Sequence, residues 1–267
     1  MTAIDLACRE SGDGMPLVLL HAFPLSSALF PRETTVLPGW RTLTPDLRGF
    51  GSSPLGDDPP SLTVMAEDVL ALLDRRGIDR AVVGGVSMGG YVTMELLRTA
   101  PERVAGVVLM DTKAEADADQ AKAARLAMAE AVLVRGRYLL DPMMAVLLGE
   151  TTRARRPDVV QLVSGWLDEV SPRAVAWAQR AMAQRPSSHP VLRTCGLPGV
   201  VIVGAEDALS PVADAAAMAA DLGTEPDVVP NAGHLAIVEN PAASRQHLVS
   251  GLRRMREALG HAGPRPA

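Results

Sequence analysis

The chain has 267 residues and a mass of 28.1 kDa, enough for one large domain whose core buries most of its extended surface. With 48 % hydrophobic and 21 % charged residues it has a globular composition, which excludes a disordered or collagen-like chain. A net charge of -5 and a pI ≈ 5.6 leave no global basic field, so neither nucleic acid nor a membrane is expected as a partner.

Of the 26 basic residues only Lys113 and Lys122 are lysines. Cys8 and Cys195 supply neither a disulfide framework nor a metal-ligand cluster. No residue pattern points to a metal, nucleotide or flavin, so no cofactor is expected. Asp5, Arg9, Glu10 and Asp13 break up the chain's start, so no signal-peptide core is expected there. No apolar run approaches the length of a membrane span. Together these features predict a cytoplasmic, enzyme-sized domain, and a homo-oligomer is compatible with them.

Apolar runs bounded by turn residues predict strands at Leu17–His21, Thr42–Thr44, Ala81–Val86, Val104–Met110, Gly199–Val203 and Asp227–Val229. Ala3–Cys8 is a candidate edge-hairpin strand ahead of them. Continuous Val/Leu/Ile character, without polar alternation, marks strands covered on both faces. Helices are expected between these runs. Leu62–Arg76 carries Leu62, Met65, Val69, Leu72 and Leu73 at helical spacing, and Gly77 supplies its stop. Tyr91–Thr99 follows the third good strand. Pro241–Leu259 has Asn240 as its N-cap and proline at its first position. The tail after Leu259 is expected to fray. Strand–helix alternation of this kind predicts an α/β fold with a mostly parallel central sheet and helices on both faces.

The alternation stops between Ala114 and Pro190. There the pattern predicts helices at Ala116–Val134, Arg137–Leu148, Asp158–Val170 and Arg173–Gln184, broken near Gly136, Pro157 and Pro172. Residues 1–113 and 191–267 are therefore expected to form the core, with 114–190 a helical cap inserted between two strands. Met128, Met143, Met144 and Met182 in that segment either face a pocket or pack the cap's own helices.

The sharpest motif is Gly85-Val86-Ser87-Met88-Gly89, at the end of a strand and the start of a helix. A serine on such a tight turn is lifted above the sheet edge in a strained conformation. The glycines let neighbouring backbone approach, and the following helix N-terminus favours a developing oxyanion. Ser87 is thus the expected nucleophile, and the Met88 N–H one oxyanion donor. A serine needs an imidazole to take its proton. His261 lies in the tail, His247 on the last helix, His189 beside Pro190, and His21 ahead of the nucleophile. His234 sits in a loop directly after a late strand, where α/β enzymes place their chemistry, and is the best base.

The carboxylate that holds this imidazole is expected to be Asp207, after the Gly199–Val203 strand, with Asp111 and Glu206 as rivals. The order Ser87…Asp207…His234 is one established order for such triads. The loop His21-Ala22-Phe23-Pro24 after the first good strand offers the Phe23 N–H as second oxyanion donor.

Five segments carry a resemblance: His21-Ala-Phe-Pro24, Asp46-Leu-Arg-Gly-Phe-Gly-Ser52, Gly85-Val-Ser-Met-Gly-Gly90, Gly204-Ala-Glu-Asp207 and Ala232-Gly-His234. Over nearly its whole length the chain resembles the α/β-hydrolase family, in particular its small bacterial branch of 3-oxoadipate enol-lactonase-like esterases, arylesterases and cofactor-free haloperoxidases. The resemblance implies the same triad and oxyanion donors, a helical cap over the pocket, and a structural role for Asp46-Leu-Arg-Gly. Ala22 departs from the family's usual glycine. The expected activity is hydrolysis of a small ester or lactone through an acyl-enzyme. The same triad would also serve thioester or carbon–carbon hydrolysis, peracid formation or cyclisation. A non-catalytic ligand-binding protein of the same fold is the reading from another class.

Overall fold

The computed structural model describes residues 2–261. Its centre is a 7-stranded sheet in the order β1-β3-β2-β4-β5-β6-β7. The strands are β1 (Cys8–Ser11), β2 (Met15–Leu20), β3 (Trp40–Pro45), β4 (Ala81–Val86), β5 (Val104–Met110), β6 (Gly199–Gly204) and β7 (Pro226–Val229). All neighbours pair in parallel except β1 with β3. The helices before the insert are α1 (Arg32–Thr35), α2 (Leu62–Arg75) and α3 (Met88–Thr99). Between β5 and β6 run α4 (Asp119–Arg135), α5 (Met144–Leu147), α6 (Glu150–Arg155), α7 (Pro157–Asp168), α8 (Pro172–Ala183) and α9 (His189–Thr194). The chain then adds α10 (Val212–Asp221), α11 (Ala236–Glu239) and α12 (Pro241–His261).

The apolar strands explain the layering. Side chains alternate between faces along a strand, so Leu20, Val83, Leu109 and Val203 join one core with α2, α3 and α10. Leu19, Val82, Val108 and Ile202 join a second core with Leu248, Leu252 and Met255 of α12. Both faces are covered, as continuous Val/Leu/Ile strands require. No helix among the described residues is long and apolar enough to cross a membrane.

Several boundaries differ from expectation, each for a local reason. The edge strand is Cys8–Ser11 rather than Ala3–Cys8, and it pairs with β3, not with its sequence neighbour β2. Tight packing of Gly12 and Gly14 against the backbone of Trp40 and Gly39 carries the chain across to that edge. The segment Arg137–Leu148 is not one α-helix: residues Arg137–Met143 form a 3-10 helix and only α5 follows it. Pro142 removes a donor there and crowds the preceding turn. Helices α6, α9 and α10 leave no separate mark in the sequence pattern. The frayed tail expected after Leu259 falls partly on residues 262–267, outside the described residues, while α12 itself runs through His261.

Candidate active site

Ser87 sits between β4 and α3 with φ 53° and ψ -112°, a conformation that non-glycine residues rarely adopt. Local bonds hold it there. Its N–H donates to the Met110 carbonyl at 3.0 Å, and its own carbonyl accepts from Tyr91 N–H at 3.2 Å and Thr112 Oγ1 at 2.8 Å. The flanking glycines are required by contact: a Cβ on Gly85 would lie 2.4 Å from the Gly89 carbonyl carbon, and one on Gly89 2.1 Å from the Leu20 oxygen. The strain is thus overdetermined by the surrounding backbone.

The loop after β7 brings His234 to the serine across 147 positions of sequence, with Ser87 Oγ donating to His234 Nε2 at 2.8 Å. On its other side His234 Nδ1–H donates to Asp207, at 2.8 Å to Oδ2 and 3.0 Å to Oδ1. A carboxylate only accepts, so Nδ1 carries the proton and Nε2 is left free to accept one. His234 and Asp207 are 2 % and 6 % exposed, so the bonds between them are shielded from water. Asp207 is fixed from behind, since its Oδ1 also accepts from the N–H groups of Leu209 at 2.8 Å and Ser210 at 3.0 Å.

The rival residues are engaged elsewhere. Asp111, with φ 43°, accepts from Gly204 N–H at 2.8 Å through one oxygen and from Ala236 N–H at 3.1 Å through the other. It therefore joins the end of β6 to the helix after His234. Burial first, and the neighbouring Asp207 charge second, push its carboxyl well above the usual range. Glu206 points to the insert, where its carboxylate accepts from Thr151 N–H at 2.8 Å and from the Thr151 hydroxyl. His189 bonds to Asp221 and Glu115, and His247 to Asp227. His21 is a buttress: its Nδ1–H donates to the Ala22 carbonyl at 3.0 Å and its Nε2 accepts from Leu47 N–H at 2.9 Å. Burial drives its pKa down to about 4, keeping the ring neutral.

Met88 is the first residue of α3, so its N–H has no partner within the helix. Among the described residues no hydrogen bond takes the Phe23 N–H, and the Phe23 side chain packs edge-on against Phe50, 6.2 Å between centroids. Ala22, despite its added Cβ, is completely buried and accommodated.

A glutamate missed at the sequence level ties these parts together. Glu239, 3 % exposed, accepts through Oε1 from Gly233 N–H at 2.9 Å and Leu235 N–H at 3.0 Å, the residues on either side of His234. Its Oε2 accepts from Gly149 N–H of the insert at 2.8 Å. The turn after β6, which carries Glu206 and Asp207, is fastened to the insert two residues further on, through the bond from Thr151 N–H to Glu206. Two carboxylates thus pin one turn of the insert to both the Asp207 loop and the His234 loop. Neither contact leaves a local signature in the sequence, because each joins distant segments.

The serine and the imidazole open into a cavity of about 170 Å³ that lies between the sheet's carboxyl end and the insert. Phe23, Tyr91 and Leu209 line it from the core, and Met143, Val146 and Met182 from the insert. Met128 and Met144 do not line it; Met144 packs into the second core. A larger cleft of about 600 Å³, bordered by Arg9, Asp46 and Trp166, contains none of Ser87, Asp207 and His234.

Known proteins share this fold. Residues 15–241 match the family model described as alpha/beta hydrolase fold, and the chain belongs to that family. A thermophilic esterase from Thermogutta terrifontis, solved with malate bound, superposes with a TM-score of 0.90 at 34 % identity, over 94 % of each chain. The 3-oxoadipate enol-lactonase 2 of Acinetobacter baylyi is 30 % identical over 207 residues, which is 74 % of this chain and 73 % of that protein. The dihydrolipoyllysine-residue acetyltransferase component of the acetoin cleaving system from Pseudomonas putida is 29 % identical over 247 residues, 90 % of this chain. The chain spans 64 % of that component's length, and 40 % of another curated relative, from Synechocystis.

Proposed function

We propose that the protein is a serine hydrolase that cleaves a small carboxylic ester or lactone through an acyl-enzyme. The observation that carries this reading is the unbroken line of bonds from Ser87 Oγ through His234 to Asp207, at 2.8 Å on each side of the ring. Ser87 Oγ attacks the carbonyl carbon while its proton passes to His234 Nε2, and Asp207 stabilises the resulting imidazolium. The Met88 and Phe23 N–H groups hold the negative oxygen of the tetrahedral intermediate. As that intermediate collapses, the bond to the alkoxide oxygen breaks and His234 returns the proton to it. Water, deprotonated by the same imidazole, then releases the acid and restores the serine. For a lactone the departing alcohol remains tethered to the acyl group.

In this reading residues 114–190 act as a cap over the cavity, and the esterase and enol-lactonase relatives support the reaction class. A fluorophosphonate probe tests it. Labelling of the wild type that disappears in Ser87→Ala is the expected result, and an unlabelled, folded wild type would overturn the proposal. A panel of p-nitrophenyl esters, lactones and acyl-thioesters then ranks the acyl acceptors. A clear preference for thioesters over matched oxygen esters would overturn the assignment of the bond cleaved.

A further inference from the structure

The polar lining of the cavity at Ser87 is cationic. Apart from His234 and the Tyr91 phenol, its ionisable groups are Lys113, just past β5, and Arg125 on α4, and no carboxylate lines it. This is unexpected in a chain of net charge -5 with two lysines in all. Among the described residues no carboxylate pairs with Lys113, and Arg125 shares its own. Asp117 bonds to Arg125 Nε but is shared with Arg185, so one carboxylate answers two guanidiniums. Arg125 Nη1 donates to Gln179 Oε1 at 3.0 Å, which holds the side chain across the gap between α4 and α8.

Lys113 is half-buried, and among the described residues its ammonium makes no hydrogen bond or ion pair. Asp214 feels its charge without pairing with it, and Glu115 bonds to His189 through one oxygen rather than to Lys113. The Lys113 ammonium is therefore free to meet an anionic group that enters the cavity. The cavity is also small. Its volume is about 170 Å³, which suits a small acyl group.

Resting on the hydrolase reading, we infer that Lys113 and Arg125 form an anion subsite, and that the substrate is a short ester or lactone bearing a free carboxylate on its acyl part. In such a substrate the reacting carbonyl lies at Ser87 and the carboxylate meets the ammonium and the guanidinium. Gln179 and Asp117 position Arg125 for that contact. Both cations also attract an anionic substrate towards the cavity mouth.

The test compares ethyl hydrogen glutarate with ethyl 5-methylhexanoate, in which an isopropyl group replaces the carboxylate at nearly equal volume. Fluorophosphonate labelling of Ser87 is followed in parallel. The expected wild-type kcat/KM favours the charged ester by at least about tenfold, the effect of one charge-assisted hydrogen bond. That ratio is expected to fall towards one in Lys113→Met, to fall in part in Arg125→Gln, and to shrink as ionic strength rises. An enzyme that labels at Ser87 but hydrolyses the neutral ester as well as the charged one, hydrolyses neither, or keeps its ratio in Lys113→Met overturns the subsite and leaves the hydrolase reading standing. An enzyme that does not label fails the hydrolase reading itself.

Discussion

Gly149 of the helical insert donates its amide to the carboxylate of Glu239, which lies 90 positions later and also grips both neighbours of His234. The bond therefore links the wall of the cavity to the placement of the imidazole. In Glu239→Gln one of the two oxygens becomes a donor, and at least one of three backbone N–H groups faces it unpaired. A loss of about 1–3 kcal/mol in urea unfolding is expected. The kcat for a small ester is expected to fall while KM changes little, because the variant shifts the His234 imidazole rather than any other residue lining the cavity. Wild-type stability and turnover in this variant would show that the loop is held by other means.

Asp207 bonds twice to the His234 ring and twice to backbone N–H groups. Asp207→Asn keeps the size of the side chain but favours the wrong tautomer of the imidazole. A drop in kcat of roughly 10³–10⁴ is expected, with the fold retained by circular dichroism. A variant within tenfold of wild type would move the role of acid away from Asp207.

The sheet and the Ser87–His234–Asp207 cluster were legible because strands β4, β5 and β6 are unbroken apolar runs whose ends locate the chemistry. Ser87 is marked by close glycines, and His234 and Asp207 each follow a strand within a few residues. Local chemistry explains what was not legible. Arg9 and Glu10 on β1 are both exposed and neither is apolar, so nothing in Cys8–Ser11 announces a strand. Pro142 interrupts the α-helical pattern, yet the Leu and Met residues around it imitate helical spacing. Glu239, Lys113 and Arg125 acquire their neighbours only through the fold, and no window of sequence contains those partners.

Arg48 lies fully buried between core and insert. Its guanidinium bonds to both oxygens of Asp68 at 2.8 Å, and it sits 5.9 Å from the centroid of the Trp177 ring. Removing the cation strands a carboxylate already pushed upward in pKa, by burial first and against the pull of Arg48. Arg48→Met is expected to lose about 3–5 kcal/mol, read from denaturant unfolding. Restoring most of that loss in the double variant Arg48→Met/Asp68→Leu would identify the unpaired charge as its cause.

His21 gives the protein an acid-sensitive point outside the line of bonds from Ser87 to Asp207. Its pKa is about 4 when folded, against an ordinary value of 6.5, so between these limits the unfolded chain binds the extra proton. Its contribution is complete above pH 6.5 and is lost as pH falls towards 4. The size is on the order of 3 kcal/mol. Urea unfolding at about pH 7 and about pH 4.5 is expected to show a steeper decline for the wild type than for His21→Gln, and parallel declines would remove His21 as the source.

A panel riveted at mid-length cannot swing open as one piece. With Gly149 and Thr151 fastened to the loops that carry His234 and Asp207, hinging the whole insert about its ends would tear both side chains from their places. The parts of the cavity wall left free to move are those away from the rivets, among them the stretch just upstream that carries Met143 and Val146. Movement there would leave the bonds from Ser87 through His234 to Asp207 in place.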